Sequence, residues 1–332
     1  MSKVRCAVIG LGRLGYWHAE NLSLNIPDAE LVYVVAPRSH IAERVARDVG
    51  AEKWSTNPMD AIEDPSIDAI IIATPANTHT DLIKRVIANG KHIFIEKPIT
   101  QNISEAKDIV QLIQETKLFC QVGFMRRYDP AYAQAKKRIE AGDIGRPIYF
   151  KGVSRDPESP TPEYIKNSGG MFVDLSIHDY DIARFLMNSE VKSVMAHGCI
   201  LKNLFMEEFN DVDQSITYLT FESGAAGDIE GSRNAYYGYD IRGEVIGTEG
   251  TIQIGSLINY DIKILNKKGG THDIVPDFST RFRGSFILEM TDFINSIKNN
   301  IKPKVNEVDG MIALEIALKA KESFDTNQVI QL

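Results

Sequence analysis

Over the first third of the chain, short hydrophobic runs alternate with segments of helical period. VRCAVI (4–9), LVYVVA (31–36), AIIIATPA (69–76), HIFIEKP (92–98) and LFCQVGF (118–124) read as strands. Between them HIAERVARDVG (40–50), THTDLIKRVIANG (78–90) and ISEAKDIVQLIQETK (103–117) space their apolar residues as amphipathic helices do. Gly50 and Gly90 close the first two of these helices. Strand–helix alternation with short loops predicts an α/β fold, a doubly wound parallel sheet connected right-handedly. Ligands of such sheets bind at the carboxyl ends of the strands.

Beyond Phe124 the pattern changes. A helix, DPAYAQAKKRIEAGDIG, precedes a strand, PIYFKGVSR, and a second helical stretch, GGMFVDLSIHDYDIARF, follows. Four strand-like stretches come next, VKSVMAHGCI, DQSITYLTFESGAAGDIEGSR, YDIRGEVIGTEGTIQIG and YDIKILNKKGGTHDIV, with glycine-containing turns between neighbours. Two helices, SFILEMTDFINSIKNN and DGMIALEIALKAKESF, close the chain. The reading is a Rossmann-type domain over 1–124 and an α+β domain with a large, mostly antiparallel sheet over 125–332. The face of that sheet not covered by its own helices is expected to serve association into a homo-oligomer.

The length of 332 residues suits two domains, and 43% hydrophobic with 25% charged residues is an ordinary globular composition. A net charge of −8 argues against nucleic acid or an anionic membrane as partner. No leader or long apolar run stands out, so the cytoplasm is the expected location. Cys6, Cys120 and Cys199 lie far apart, which points to buried apolar roles rather than a zinc site or disulfides.

Chemistry concentrates at the predicted strand ends. Gly10, Gly12 and Gly15 in the loop Gly10-Leu11-Gly12-Arg13-Leu14-Gly15 follow a strand and open a helix, the setting of a dinucleotide-binding turn. The second strand ends in Ala36-Pro37-Arg38-Ser39, where a carboxylate for the ribose of NAD is usual. Without it a 2′-phosphate is not repelled, and Arg38 with Ser39 could bind one; NAD or NADP is therefore the expected cofactor. Thr74, Pro75, Asn77 and His79 lie at the third strand's end, and Glu96 and Lys97 at the fourth's. A lysine there either stabilises a developing alkoxide or snorkels beside Glu96.

In DLSIHDYD, Asp174, His178 and Asp181 fall at i, i+4 and i+7 of one predicted helix, bordering its apolar stripe. Imidazole, with an ordinary pKa of about 6.5, suits proton abstraction from a hydroxyl. An ordinary helix edge and a metal site are the other readings, the latter lacking a third ligand at recognisable spacing. Tyr132 and Lys136 share the Y-x-x-x-K spacing of short-chain dehydrogenases, but stand outside the nucleotide domain and read as helix surface.

GLGRLG, TPANTH, EKP, GFMRRYD and GGMFVDLSIHDYDIARF, in this order, resemble the glucose–fructose oxidoreductase/inositol dehydrogenase/rhizopine catabolism (Gfo/Idh/MocA) family over nearly the whole chain. Within it, GFMRRYD and YYGYDIRGEVIGTEG look most like the inositol dehydrogenases. The resemblance implies that Lys97, Asp174 and His178 do the chemistry, and that Arg126 and Tyr237 bind a cyclic polyol. The chain departs from the family's myo-inositol enzymes where Ser154, in SRDPES, replaces a substrate-binding histidine; Asp156 and the proline-rich PESPTPEY loop are the candidates to fill that space, and Ser154 and Asp156 are counted among the candidate substrate contacts. The expectation is an NAD(P)-dependent, metal-free polyol dehydrogenase, assembled as a homotetramer. A sugar dehydrogenase and a non-catalytic dinucleotide-binding sensor are the alternatives.

Overall fold

The computed structural model describes residues 2–332 and divides into two compact units. The first comprises residues 1–128 and 284–314, the second 129–283 and 315–332. The boundary expected from sequence lies at 124/125, and the N-terminal stretch of the first unit runs to Tyr128. The C-terminal part, however, does not belong to a single unit, because residues 284–314 return to the first.

The first unit carries six strands: β1 (Val4–Ile9), β2 (Ala29–Val35), β3 (Lys53–Ser55), β4 (Ala69–Ile72), β5 (His92–Glu96) and β6 (Cys120–Gly123). They form one all-parallel sheet in the order β3-β2-β1-β4-β5-β6. The helices α1 (Arg13–Glu20), α2 (Ser39–Val49), α3 (Met59–Ile62), α4 (His79–Ala88) and α5 (Ile103–Gln114) connect them. β3 and α3 escaped the sequence reading, being only three and four residues long. Helix ends follow local chemistry. Gly50 closes α2 in the left-handed region, and Asn102 caps α5 by accepting from the Glu105 N–H.

The second unit opens with α6 (Pro130–Glu140), capped by Asp129 with proline at its first position. β7 (Pro147–Arg155), α7 (Pro162–Ser168), α8 (Ile177–Met187), β8 (Val191–Cys199), β9 (Gln214–Phe221), β10 (Ala226–Ser232), β11 (Asp240–Gly247) and β12 (Thr251–Ile254) follow. A short hairpin comes next, β13 (Ile264–Asn266) with β14 (Gly269–Thr271). Two long helices, α9 (Phe278–Asn299) and α10 (Glu307–Thr326), precede a terminal β15 (Ile330–Gln331). Seven strands form the sheet β12-β11-β7-β10-β9-β8-β15, antiparallel except for the β7–β10 pair.

In the first unit the core joins Val8, Ile71 and Phe94 of the sheet to Met290, Phe293 and Ile294 of α9. Truncating one such aromatic ring costs about 3–5 kcal/mol, so α9 is integral to the nucleotide half. Two readings need correction. Cys6 and Cys120 are buried, but Cys199 is exposed at the end of β8. Tyr132 is not helix surface: it is buried, and its ring packs against Gly243, where a Cβ would lie 3.3 Å from Cε1. Among the described residues no helix is long and apolar enough to cross a membrane.

Candidate active site

The glycine turn of the first unit offers mostly backbone. Gly10 adopts φ +94°, and a Cβ there would lie 2.5 Å from the Ala73 carbonyl oxygen. A Cβ on Gly15 would lie 1.8 Å from the Gly10 carbonyl oxygen, so α1 packs against the turn only as glycine. Gly12, the N-cap of α1, has no side-chain cap, and a Cβ on it would meet nothing within 4 Å. The helix end therefore faces open space with main-chain N–H groups to offer an anion, which fits a dinucleotide pyrophosphate. Leu11 packs against the core, Leu14 is half-buried and Arg13 is exposed. Ala36 is buried behind exposed Arg38 and Ser39 at the start of α2.

At the end of β4, Thr74 is half-buried, Pro75 and Asn77 are exposed, and the Thr74 and Thr78 hydroxyls meet at 2.7 Å. His79 is not presented to a ligand. Its ring lies 2.9 Å from both the Thr74 and Pro98 carbonyl oxygens, tying this loop to the segment after β5. Burial pushes its pKa down despite those two acceptors, and a neutral ring donates to only one of them. Glu96 also turns inward: its carboxylate lies 2.7 Å from His18 Nε2. Lys97 is half-buried and precedes a cis Lys97–Pro98 peptide. Arg126, read in sequence as either a substrate ligand or a solvated residue, is 1% exposed, which removes the second reading.

In the second unit the predicted regular helix fails at its first turn. Residues Met171–Leu175 are π-helical, and α8 begins only at Ile177. A wider turn precedes α8, so even α-helical spacing does not relate Asp174 to His178. Gly169 and Gly170 both have positive φ, and a Cβ on Gly170 would lie 2.7 Å from Asp211 Oδ1. That same oxygen accepts the Met171 N–H at 2.8 Å and anchors the irregular turn. Both Asp174 and His178 come out half-buried, whereas Asp179 and Asp181 are buried.

The Asp174 carboxylate lies between two groups that sequence reasoning missed. Tyr164 donates its hydroxyl to Oδ1 at 3.0 Å, and Arg233 Nη2 lies 3.5 Å from Oδ2 in a loose ion pair. Arg233 is 1% exposed and also lies 3.4 Å from Asp211. A buried guanidinium needs such compensation. Nothing in EGSRN marks Arg233, whose partners are distant in sequence.

The expected polyol ligands fare differently. Ser154 is buried and donates its hydroxyl to Asp179 at 2.6 Å, so it takes no exposed position. Asp156 is half-buried, and its main chain bonds Ser232 and Ala235. Tyr237 is exposed, but its hydroxyl donates to Asp240 at 2.8 Å and accepts from Arg155 at 3.0 Å. Arg155 follows Ser154 on β7 and therefore faces the other side of the sheet from the Ser154–α8 contact. Arg184, three residues beyond Asp181, makes a two-pronged pair with Glu190, one contact being 2.7 Å.

A parallel sheet with a bare glycine turn, followed by a second unit carrying a half-buried carboxylate and imidazole, defines a nicotinamide-dependent oxidoreductase acting on CH–OH groups. The family comparisons agree. Residues 4–124 match the oxidoreductase family's NAD-binding Rossmann fold, and 136–332 match its C-terminal alpha/beta domain. The chain belongs to the Gfo/Idh/MocA family. It is 54% identical to scyllo-inositol 2-dehydrogenase (NAD(+)) of Bacillus subtilis, covering 99% of this chain and 96% of that protein. It is 37% identical to myo-inositol 2-dehydrogenase of Thermotoga maritima, covering 99% and 98%. Scyllo-inositol dehydrogenase from Lactobacillus casei, solved with NAD(H) and scyllo-inositol, superposes with a TM-score of 0.94 at 30% identity, covering 99% of both chains.

Proposed function

We propose that the protein oxidises a ring hydroxyl of an inositol, scyllo- or myo-, to the ketone with NAD as hydride acceptor. The observation that carries this reading is the half-buried Asp174–His178 stretch, shaped by Tyr164 and Arg233, in a chain that also presents Lys97 after β5. The dinucleotide, when bound, supplies the acceptor for the hydride. His178 takes the hydroxyl proton as the carbon gives up hydride. Lys97 donates a hydrogen bond to the oxygen and stabilises the developing alkoxide. Asp174, held by Tyr164 and Arg233, orients the substrate or the imidazole. Gly12 leaves room for the pyrophosphate, while Gly10 and Gly15 let the turn and α1 pack closely.

Arg126 and Tyr237 are assigned to the polyol; Ser154 is not, its hydroxyl being taken by Asp179. NADP acceptance is a further part of the proposal, supported by exposed Arg38 and Ser39 where a carboxylate is missing. Homotetrameric assembly in the cytoplasm completes it, with exposed Ile148, Ile216 and Tyr218 on the sheet as supporting apolar surface. The test is initial rates with myo-inositol, scyllo-inositol and glucose, each with NAD and with NADP. Turnover with an inositol is expected. Turnover with glucose alone would replace the reading with a sugar dehydrogenase, and cofactor binding without turnover would replace it with a sensor.

A further inference from the structure

The first unit contains a buried cluster that this chemistry does not use. His18 enters it from α1, Glu96 from the end of β5 and Glu289 from α9, at 0%, 7% and 0% exposure. One ligand atom from each lies within 4.8 Å of the others. His18 Nε2 and Glu96 Oε1 are 2.7 Å apart, so a ring protonated on Nε2 donates to a Glu96 carboxylate. Both Glu289 oxygens are buried and meet no hydrogen-bond donor among the described residues.

The surroundings are apolar. Phe94 and Phe286 set their rings edge-on to His18, with centroids 5.0 and 6.1 Å away. Across the β5–β6 pairing, only glycine fits opposite Glu96: a Cβ on Gly123 would lie 2.9 Å from Glu96 Oε2. The titratable groups facing Glu289 are His18 from α1, Glu96 from β5 and the Tyr128 phenol beyond β6. Gln121 of β6 donates to the Glu289 main-chain oxygen at 2.8 Å and brings no charge.

Two carboxylates this close in a dry interior do not both ionise. Burial, and then the charge on Glu96, pushes the Glu289 acid well above the usual carboxylate range. Glu96 has the His18 N–H to support a negative charge, and Glu289 has nothing comparable. The proton belongs on Glu289, whose two buried oxygens meet no donor among the described residues.

We propose that Glu289 is held as a neutral carboxylic acid beside the His18–Glu96 pair. His18 and Glu289 are then positioning residues that act through Glu96 on Lys97, the next residue in the chain. Clamping Glu96 fixes the main chain from which the Lys97 side chain projects. The positioning half rests on the role given to Lys97 above; the protonation half does not.

Infrared difference spectroscopy at neutral pH compares the full-length protein with Glu289→Gln. A protonated-carboxyl C=O band present in the wild type and missing from the variant is expected. Its absence from the wild type, or its persistence in the variant, overturns the protonation. Elemental analysis is the companion measurement: one equivalent of divalent metal per chain, lost in Glu289→Gln, would also overturn it. For positioning, His18→Phe is expected to lower kcat about tenfold and shift the alkaline limb of its pH profile, with KM and NAD affinity changed by less than about twofold. His18→Gln, which can donate from nearly the same place, should recover most of the rate. Unchanged kcat and pH profile in His18→Phe, with only thermal stability lost, would overturn this half. If His18→Phe does not fold, Glu289→Asp is read by the same kinetics. Full activity in Lys97→Ala would remove the Lys97 reading and leave the infrared result standing.

Discussion

The two units solve their chemical tasks with different materials. In the first, the functional feature is a stretch of six residues, Gly10 to Gly15, in which missing side chains matter most. In the second, Tyr164, Asp174, Asp211 and Arg233 come from segments spread over about seventy residues and meet only in the folded unit. A backbone site is compact because a turn and a helix end are local. A side-chain site depends on tertiary packing, and its charges must compensate one another once buried. On the proposed assignment the same residues serve both stability and chemistry in the second unit, while in the first the two tasks fall on different glycines.

The comparison breaks first if one unit alone sustains turnover. Lys97→Ala and His178→Ala, one from each unit, should each lower kcat by about 10²–10⁴-fold. NAD affinity, followed by fluorescence titration, should hardly change. Next in size is Arg233→Met, which strands Asp211 and part of Asp174 without their cation. A stability loss of about 3–5 kcal/mol is expected by denaturant titration, and pairing it with Asp211→Asn should recover part of that loss. No recovery would mean that the guanidinium acts by packing alone.

A smaller effect separates the glycines. Gly12→Val, whose side chain meets open space, should leave the melting temperature nearly unchanged yet weaken NAD binding at least tenfold, about 1.4 kcal/mol. Gly15→Val should instead compromise folding, since its Cβ meets the Gly10 carbonyl. Equal loss of stability in both would erase the distinction. The smallest effect concerns pH. Burial holds the His79 pKa below its ordinary value, so between that lowered value and about 6.5 the unfolded chain binds more protons than the folded one. Its contribution is complete above about 6.5 and declines as pH falls below it. Thermal melts from pH 7.5 to about 5.5 should show the decline, and His79→Asn should flatten it.

Legibility in the sequence follows the same division. The parallel sheet and the glycine turn were readable because alternating period and a Gly-x-Gly-x-x-Gly spacing are local consequences of local geometry, whereas the strand order was not. The Asp174–His178 pair was found by a regular helical spacing that the π-turn at Met171–Leu175 does not keep. Two residues, Gly169 and Gly170, marked that turn, but as a helix start rather than an irregular one. Tyr164 and Arg233 left no signal, because an exposed tyrosine and an arginine after a strand are common. Glu96 and His18 lie 78 residues apart, so their contact was invisible until β5 and α1 were placed together. The return of residues 284–314 to the first unit was equally hidden, since an amphipathic helix does not state which sheet it covers.

The most direct test of the central claim is isotopic. The protein is incubated with NAD and an inositol deuterated at its ring carbons, and the reduced nicotinamide is examined by mass spectrometry. The account predicts deuterium carried directly from the ring carbon to the nicotinamide, at a rate that collapses in Lys97→Ala and His178→Ala. Reduced nicotinamide without deuterium, or no reduction with any inositol while NAD still binds, would contradict it.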